Sequence, residues 1–238
     1  MKISPSPYTH HTMRQILLLT ALLALITTPR LNAQSPDGRG TTFAVLAGVN
    51  LQNLNGKNTF GDKLENQLIT GYHLGANAQI PIAPSFYFQP GLLFSVKGAK
   101  ATEGNNSITY RLNYVELPLN LVYKAALGRG YLFLGFGPYL AYGISGKATY
   151  DLVGLGKTTR DVDFKNEIEV SDPLLTPYFK AWDAGGNIFA GYELSNGLFL
   201  QLNTQLGMLD IHPKDKRIPG DKASIKNTGF GLSLGYRM

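Results

Sequence analysis

Five charged side chains fall within stretches that otherwise alternate with apolar residues: Lys97, Glu116, Asp183, Glu193 and Arg237. Set on one face of successive strands, such groups could gate a narrow pore or bind a small ligand. They could equally pair with one another inside a filled interior and so offset their burial. A second set, His212, Lys214, Lys216 and Arg217, lies in one polar stretch. It could attract phosphate groups such as those of lipopolysaccharide, or stand as solvated surface charge.

Other chemistry is sparsely supplied. Beyond residue 33 the histidines are His73 and His212, neither in a metal spacing nor beside a nucleophile motif. A lipid hydrolase using Ser and His is an open alternative, because catalytic partners need not be close in sequence, but no pair is singled out. Asp161-Val162-Asp163 begins like a calcium loop, yet Lys165 takes the next ligand position and the required glycine is missing. Residues 152–158, Leu-Val-Gly-Leu-Gly-Lys-Thr, hint at a phosphate loop without its spacing or a following helix. Cysteine is absent, which excludes disulfides, thiolate metal sites and an acylated lipoprotein anchor. No catalytic residue, cofactor or metal is assigned, and a non-enzymatic role is expected.

Residues 1–33 are expected to be a leader with a signal peptide, cleaved before Gln34, ahead of a barrel domain at 34–238. Arg14 precedes an apolar run from Ile16 to Ile26, and Leu31-Asn32-Ala33 supplies a small residue at the cleavage point. The run is too short to span a bilayer as a helix. Translation could begin at Met1 or at Met13. Without the leader, 19 cations face 16 acids, a net charge of +3, so nucleic acid is not an implied partner.

The elements that must position the charges are strands. Past the leader the pattern has period two, the mark of a strand with two unlike faces. Leu198, Leu200, Leu202, Thr204, Leu206 and Met208 oppose Phe199, Gln201, Asn203, Gln205 and Gly207. Phe230, Leu232, Leu234 and Tyr236 oppose Gly229, Gly231, Ser233, Gly235 and Arg237. Similar alternation marks 42–51, 69–80, 86–97, 131–144 and 181–194. In 108–124, Leu112 and Tyr114 lie out of phase with Val115, Leu117, Leu119 and Leu121, which points to a bulge near Tyr114–Val115. Pro118 and Pro138 sit inside strands and are expected at further irregularities, since proline cannot donate to a ladder.

The connections alternate. Segments 52–68, 98–107, 145–180 and 210–225 are long, while 81–85, 125–130 and 195–197 are short. That rhythm characterises outer-membrane barrels. An even strand number puts both termini on the short-turn side, which would be periplasmic, and the long loops would face outward. The second face of the strands is rich in glycine, Asn and Gln, a poor water-exposed surface but a reasonable filling for an eight-stranded lumen. Each segment reaches the roughly nine to eleven residues a tilted spanning strand needs. Phe43, Tyr72, Phe86, Tyr142, Trp182, Tyr192 and Tyr236 suit interfacial girdles.

Phe88-Gln89-Pro90-Gly91-Leu92-Leu93-Phe94-Ser95-Val96-Lys97-Gly98 and Asn113-Tyr114-Val115-Glu116-Leu117-Pro118-Leu119-Asn120-Leu121 resemble signature stretches of the PorT-like outer-membrane β-barrel family of Bacteroidetes. The closing run Gly229 to Met238 is similar too, although it ends in Met where many such barrels end in Phe. The resemblance covers the chain beyond the leader. It implies the fold and a Gram-negative outer-membrane location, with a link to type IX protein secretion through the founding member.

The expected fold is therefore all-β: an eight-stranded antiparallel up-and-down transmembrane β-barrel, monomeric, embedded in the outer-membrane bilayer. The expected role is structural, at the surface, or accessory to envelope transport or secretion, with lipopolysaccharide or other envelope proteins as partners. The alternatives are a secreted, soluble lipocalin-like barrel binding a small apolar ligand, and an outer-membrane lipid hydrolase.

Overall fold

Residues that alternate apolar with small or polar build eight long strands in the computed structural model. The structure describes residues 40–154 and 156–238; the expected leader and its cleavage point before Gln34 lie outside the described residues. The strands are β1 (Thr42–Lys57), β2 (Ile69–Ala83), β3 (Phe86–Glu103), β4 (Asn106–Leu127), β5 (Gly130–Leu152), β6 (Trp182–Leu194), β7 (Leu198–Gly207) and β8 (Ser224–Arg237). Each pairs antiparallel with the next in sequence. β1 and β8 then close the ring, from Ala44 opposite Arg237 to Lys57 opposite Ser224. Closure removes the sheet edges that would otherwise face lipid with unmet hydrogen bonds.

The two faces are inverted relative to a water-soluble protein. Outward positions are apolar and open: Val115, Leu117 and Tyr123 on β4, Leu200, Leu202 and Leu206 on β7, Phe230, Leu232 and Leu234 on β8. Inward positions bury polar groups: Asn50, His73, Gln79, Gln89, Lys97, Glu116, Asn187 and Ser233. Aromatic pairs mark both ends of the apolar belt. Tyr142 meets Trp182 edge-on at 5.0 Å toward the long loops, and Phe86 lies 5.1 Å from Tyr123 toward the short turns.

The irregularity expected in β4 falls beside its expected place but belongs to β5. Asn113 pairs with Ser145 and Tyr114 with Gly143, so the extra residue is Ile144. β4 keeps one phase throughout, with Leu112, Tyr114, Glu116, Asn120 and Lys124 all buried and inward. Leu112 and Tyr114 broke the apolar pattern because they pack inside an apolar barrel mouth, not because the strand slips. Nor do the prolines shift the β4–β5 register: pairing at Pro118–Tyr139 resumes at Leu121–Phe136 unchanged.

The longer strands outrun the bilayer. β4 has 22 residues and β5 has 23, about twice what a tilted crossing needs. Segment 98–107 is thus not a long loop: β3 and β4 run on as a hairpin closed by Gly104, at φ 57°, and Asn105. In 145–180, β5 continues to Leu152 and pairs with a ninth strand, Gly156–Asp161, outside the ring.

Candidate functional site

The lumen is filled in layers. At the short-turn end Phe133, Phe189 and Phe199 pack edge-on, with centroids 6.0–6.2 Å apart, among Ala44, Leu46, Tyr87 and Val122. Glycines make room for the rings. A Cβ at Gly135 would fall on the Phe189 ring, at Gly191 on Phe133, and at Gly235 on Phe199. At the long-loop end Leu54, Ala99, Leu112, Tyr114, Tyr139 and Ala141 form a second apolar layer. Val162, Phe179 and Ile211 reach into it from the loops and cap the mouth. Main-chain bonds knit that cap: Gly143 N to Ala181 O at 2.7 Å, Lys180 N to Ile211 O at 2.8 Å and Val162 N to Gly146 O at 2.9 Å.

All five charges expected in the lumen are inside it, in two groups. Toward the loops, Lys97 Nζ lies 3.1 Å from Glu116 Oε1 and 3.1 Å from Asp183 Oδ2. Asp183 Oδ2 also accepts from Tyr139 OH at 3.2 Å and Asn227 Nδ2 at 2.9 Å, while Glu116 Oε2 accepts from Gln205 Nε2 at 2.7 Å. Toward the short turns, Glu193 Oε2 lies 3.0 Å from Arg237 Nε, and its Oε1 lies 2.8 Å from Lys124 Nζ. Glu116 therefore pairs with Lys97, and Arg237 with Glu193. Lys124 was not among the expected residues. It is the last residue of the strand segment 108–124 and shares the parity of Glu116 on β4. Three cations and three carboxylates meet in the lumen, and the hydrogen bonds to each carboxylate offset part of the desolvation.

Between these groups lies a cavity of about 60 Å³ lined by Asn50, His73, Glu116, Asn120, Asn187 and Ser233 among others. Its size and polarity suit a few waters, not an organic ligand. His73 Nε2 is 2.7 Å from Ser233 Oγ and His73 Nδ1 is 2.6 Å from Asn50 Oδ1. That is the order of nucleophile, base and orienting residue. Ser233 is fully buried, however, and the cavity is too small to admit a lipid ester. The chain of bonds instead ties β1, β2 and β8 together through the lumen. His212, by contrast, lies in the loops with Nε2 at 2.8 Å from Asp221.

The loop set is brought together, but against acids. Lys216 bridges Glu167 at 2.8 Å and also Glu169, and Arg217 holds Asp215 at 2.6 Å. Lys214 is exposed, and its short strand Lys214–Asp215 runs parallel to Glu167–Ile168. The hydrogen bond from Lys216 holds the Glu167 carboxyl below its usual range, and Lys165 and Arg217 do the same for Asp172 and Asp215. The Lys216 ammonium is pushed up in turn by Glu167, then Glu169. An anion approaching this cluster therefore meets carboxylates beside the cations. Asp161 and Asp163 flank the buried Val162, and among the described residues no group of three or more His, Cys, Asp or Glu side chains could hold a metal.

The family model described as the outer membrane protein beta-barrel domain matches residues 32–212. No curated protein matches the chain. Among solved structures the chain is similar to Ail, the attachment invasion locus protein of Yersinia pestis, in complex with the heparin analogue sucrose octasulfate. Identity there is 11%, covering 84% of this chain and 100% of that one, with a TM-score of 0.38. Neisserial surface protein A gives 14% identity over 84% and 99% of the two chains, with a TM-score of 0.40. OprG from Pseudomonas aeruginosa gives 11% over 84% and 97%, with a TM-score of 0.40.

Proposed function

The chain belongs to the outer membrane protein beta-barrel domain family, and from that premise we propose that it is a closed, non-enzymatic, monomeric barrel whose activity resides in its loops. The carrying observation is that apolar side chains fill the lumen at two levels, Phe133–Phe189–Phe199 below and Leu112–Tyr114–Phe179–Ile211 above. A passage for solutes is hard to reconcile with that filling. A soluble carrier is equally disfavoured, because Phe136, Ile188, Leu202 and Phe230 are about 60% exposed on the outer face, where such a carrier needs polar groups.

In this reading the short turns and both chain ends are periplasmic, and the loop cap and the β4–β5 extension face outward. The role is surface-exposed or accessory to envelope transport or secretion, with other envelope proteins as partners. A place in type IX-like secretion is what the PorT-like resemblance implies. A deletion strain that secretes its proteases normally would remove that role. The closed-barrel reading is tested by reconstitution in planar bilayers. It expects no stepwise conductance, and a steady ohmic channel from the folded protein would overturn it.

A further inference from the structure

Reading β4 outward along its exposed face gives Tyr123, Leu121, Leu119, Leu117 and Val115, then Asn113, Arg111, Thr109 and Ser107. The change from apolar to polar at Val115–Asn113 places the edge of the lipid belt. One step beyond that edge, Arg111 and Lys147 are direct cross-strand partners, both outward and exposed. Lys100, on the same face of β3, sits one diagonal step away, because Gly98 is the partner of Arg111. Like charges set directly opposite destabilise a strand pair unless something neutralises them. Among the described residues, no carboxylate lies within ion-pair distance of any of the three. Asp161 stands across from Lys147 on the other side without closing an ion pair, so two positive charges are left over.

The place of these cations matters as much as their sign. Arg111 is anchored by a 2.9 Å bond from its guanidinium to Thr70 O, which holds it against the top of the belt. Beside Lys147 an open cleft of about 520 Å³ runs down to Tyr142 and Ile144; Lys147 is the one cation of the three that lines it, and Asp161 and Asp163 line its far wall. On the opposite rim the outward strand positions Phe86, Tyr123, Leu132, Leu194, Leu198 and Tyr236 are apolar, and Arg129 is an exposed cation in the β4–β5 turn.

We propose that Lys100, Arg111 and Lys147 bind the phosphate of an anionic lipid in the leaflet at the loop end, with an acyl chain lying along Val115, Tyr142 and Ile144. This site takes the lipid phosphates that the neutralised His212–Arg217 cluster is poorly placed to receive. It rests on the outward orientation of the long loops. Guanidinium and ammonium donors on a rigid sheet suit a phosphate.

Native mass spectrometry of the detergent-solubilised full barrel, with bis-phosphorylated lipid A added, tests it. The folded protein is expected to carry one lipid, and the variant K100Q/R111Q/K147Q to bind at least about tenfold more weakly. The variant K57Q/K63Q/K222Q removes the same charge elsewhere in the loops and is expected to bind like the parent; heat-modifiable gel mobility confirms that each variant is folded. Equal binding by the first variant, equal loss in the second, or equal binding of dephosphorylated lipid A would overturn the site. Displacement by millimolar inorganic phosphate alone would show a free-phosphate site and overturn the lipid assignment. Labelling of Asn105→Cys on intact cells reads orientation separately, so an inverted barrel and a barrel without the lipid site give different results.

Discussion

The Lys97 ammonium lies 3.1 Å from the Asp183 carboxylate, although the two residues are 86 positions apart in sequence. Both side chains are fully buried. The pair joins β3 to β6 through the lumen, and Glu116 on β4 completes it. Removing the cation alone would strand two carboxylates. Lys97→Met is therefore expected to lose about 3–5 kcal/mol in urea unfolding from lipid vesicles. The triple variant K97M/E116Q/D183N should recover most of that loss. A single variant as stable as the parent would show that the charges are not coupled.

The aromatic floor should respond to glycine substitution. At Gly191 a Cβ would occupy the position of the Phe133 ring. Gly191→Ala is expected to cost about 1–3 kcal/mol by overpacking, and adding Phe133→Leu should relieve part of it. Equal stability of Gly191→Ala and parent, by the same unfolding measurement, would place that ring elsewhere.

The proposed closure has two layers in series, so single deletions are expected to be silent. Truncating the cap residues Val162, Phe179 and Ile211 to alanine leaves the Phe133–Phe189–Phe199 floor in place. Planar-bilayer recordings of that variant should stay closed. Conductance is expected only when the three phenylalanines are also truncated to alanine. A channel opened by cap truncation alone would mean that the floor does not seal.

The loop ion pairs make the cap sensitive to acid. Glu167, Asp172 and Asp215 are held below the ordinary carboxylate values of 4.5 and 3.8 by Lys216, Lys165 and Arg217. Groups with depressed folded pKa values stabilise the cap above their unfolded values, and that contribution is lost as pH falls through the folded ones. Pepsin nicking within 163–180 should therefore rise as pH falls below the ordinary carboxylate values of 4.5 and 3.8, while the barrel stays intact. The variant K216Q/R217Q should already be nicked above those values. Nicking independent of pH beyond pepsin's own profile would disconnect these pairs from cap order.

Much of the barrel was legible because a strand reports its two faces within a few residues. Lys97, Glu116, Asp183, Glu193 and Arg237 each reveal an inward position by parity alone. Which of them meet was not legible, since partners depend on register accumulated across several strands. Leu112 and Tyr114 were misread for a related reason: period two cannot distinguish apolar residues facing lipid from apolar residues lining a plug. The cap was invisible. Val162, Phe179 and Ile211 are isolated apolar residues in polar loops, without the periodicity that would mark them as core.

The central claim, that the apolar outer face meets lipid and the long loops face outward, can be read with an impermeant maleimide, because the chain has no cysteine to interfere. Asn105→Cys lies in the β3–β4 turn, Asn196→Cys in the β6–β7 turn, and Leu202→Cys on the belt, where the leucine is 64% exposed. The expected result on intact cells is labelling of Asn105→Cys alone, joined by Asn196→Cys once the outer membrane is disrupted, with Leu202→Cys unreactive until the protein is denatured. Labelling of Leu202→Cys as fast as Asn105→Cys in the folded protein would contradict it.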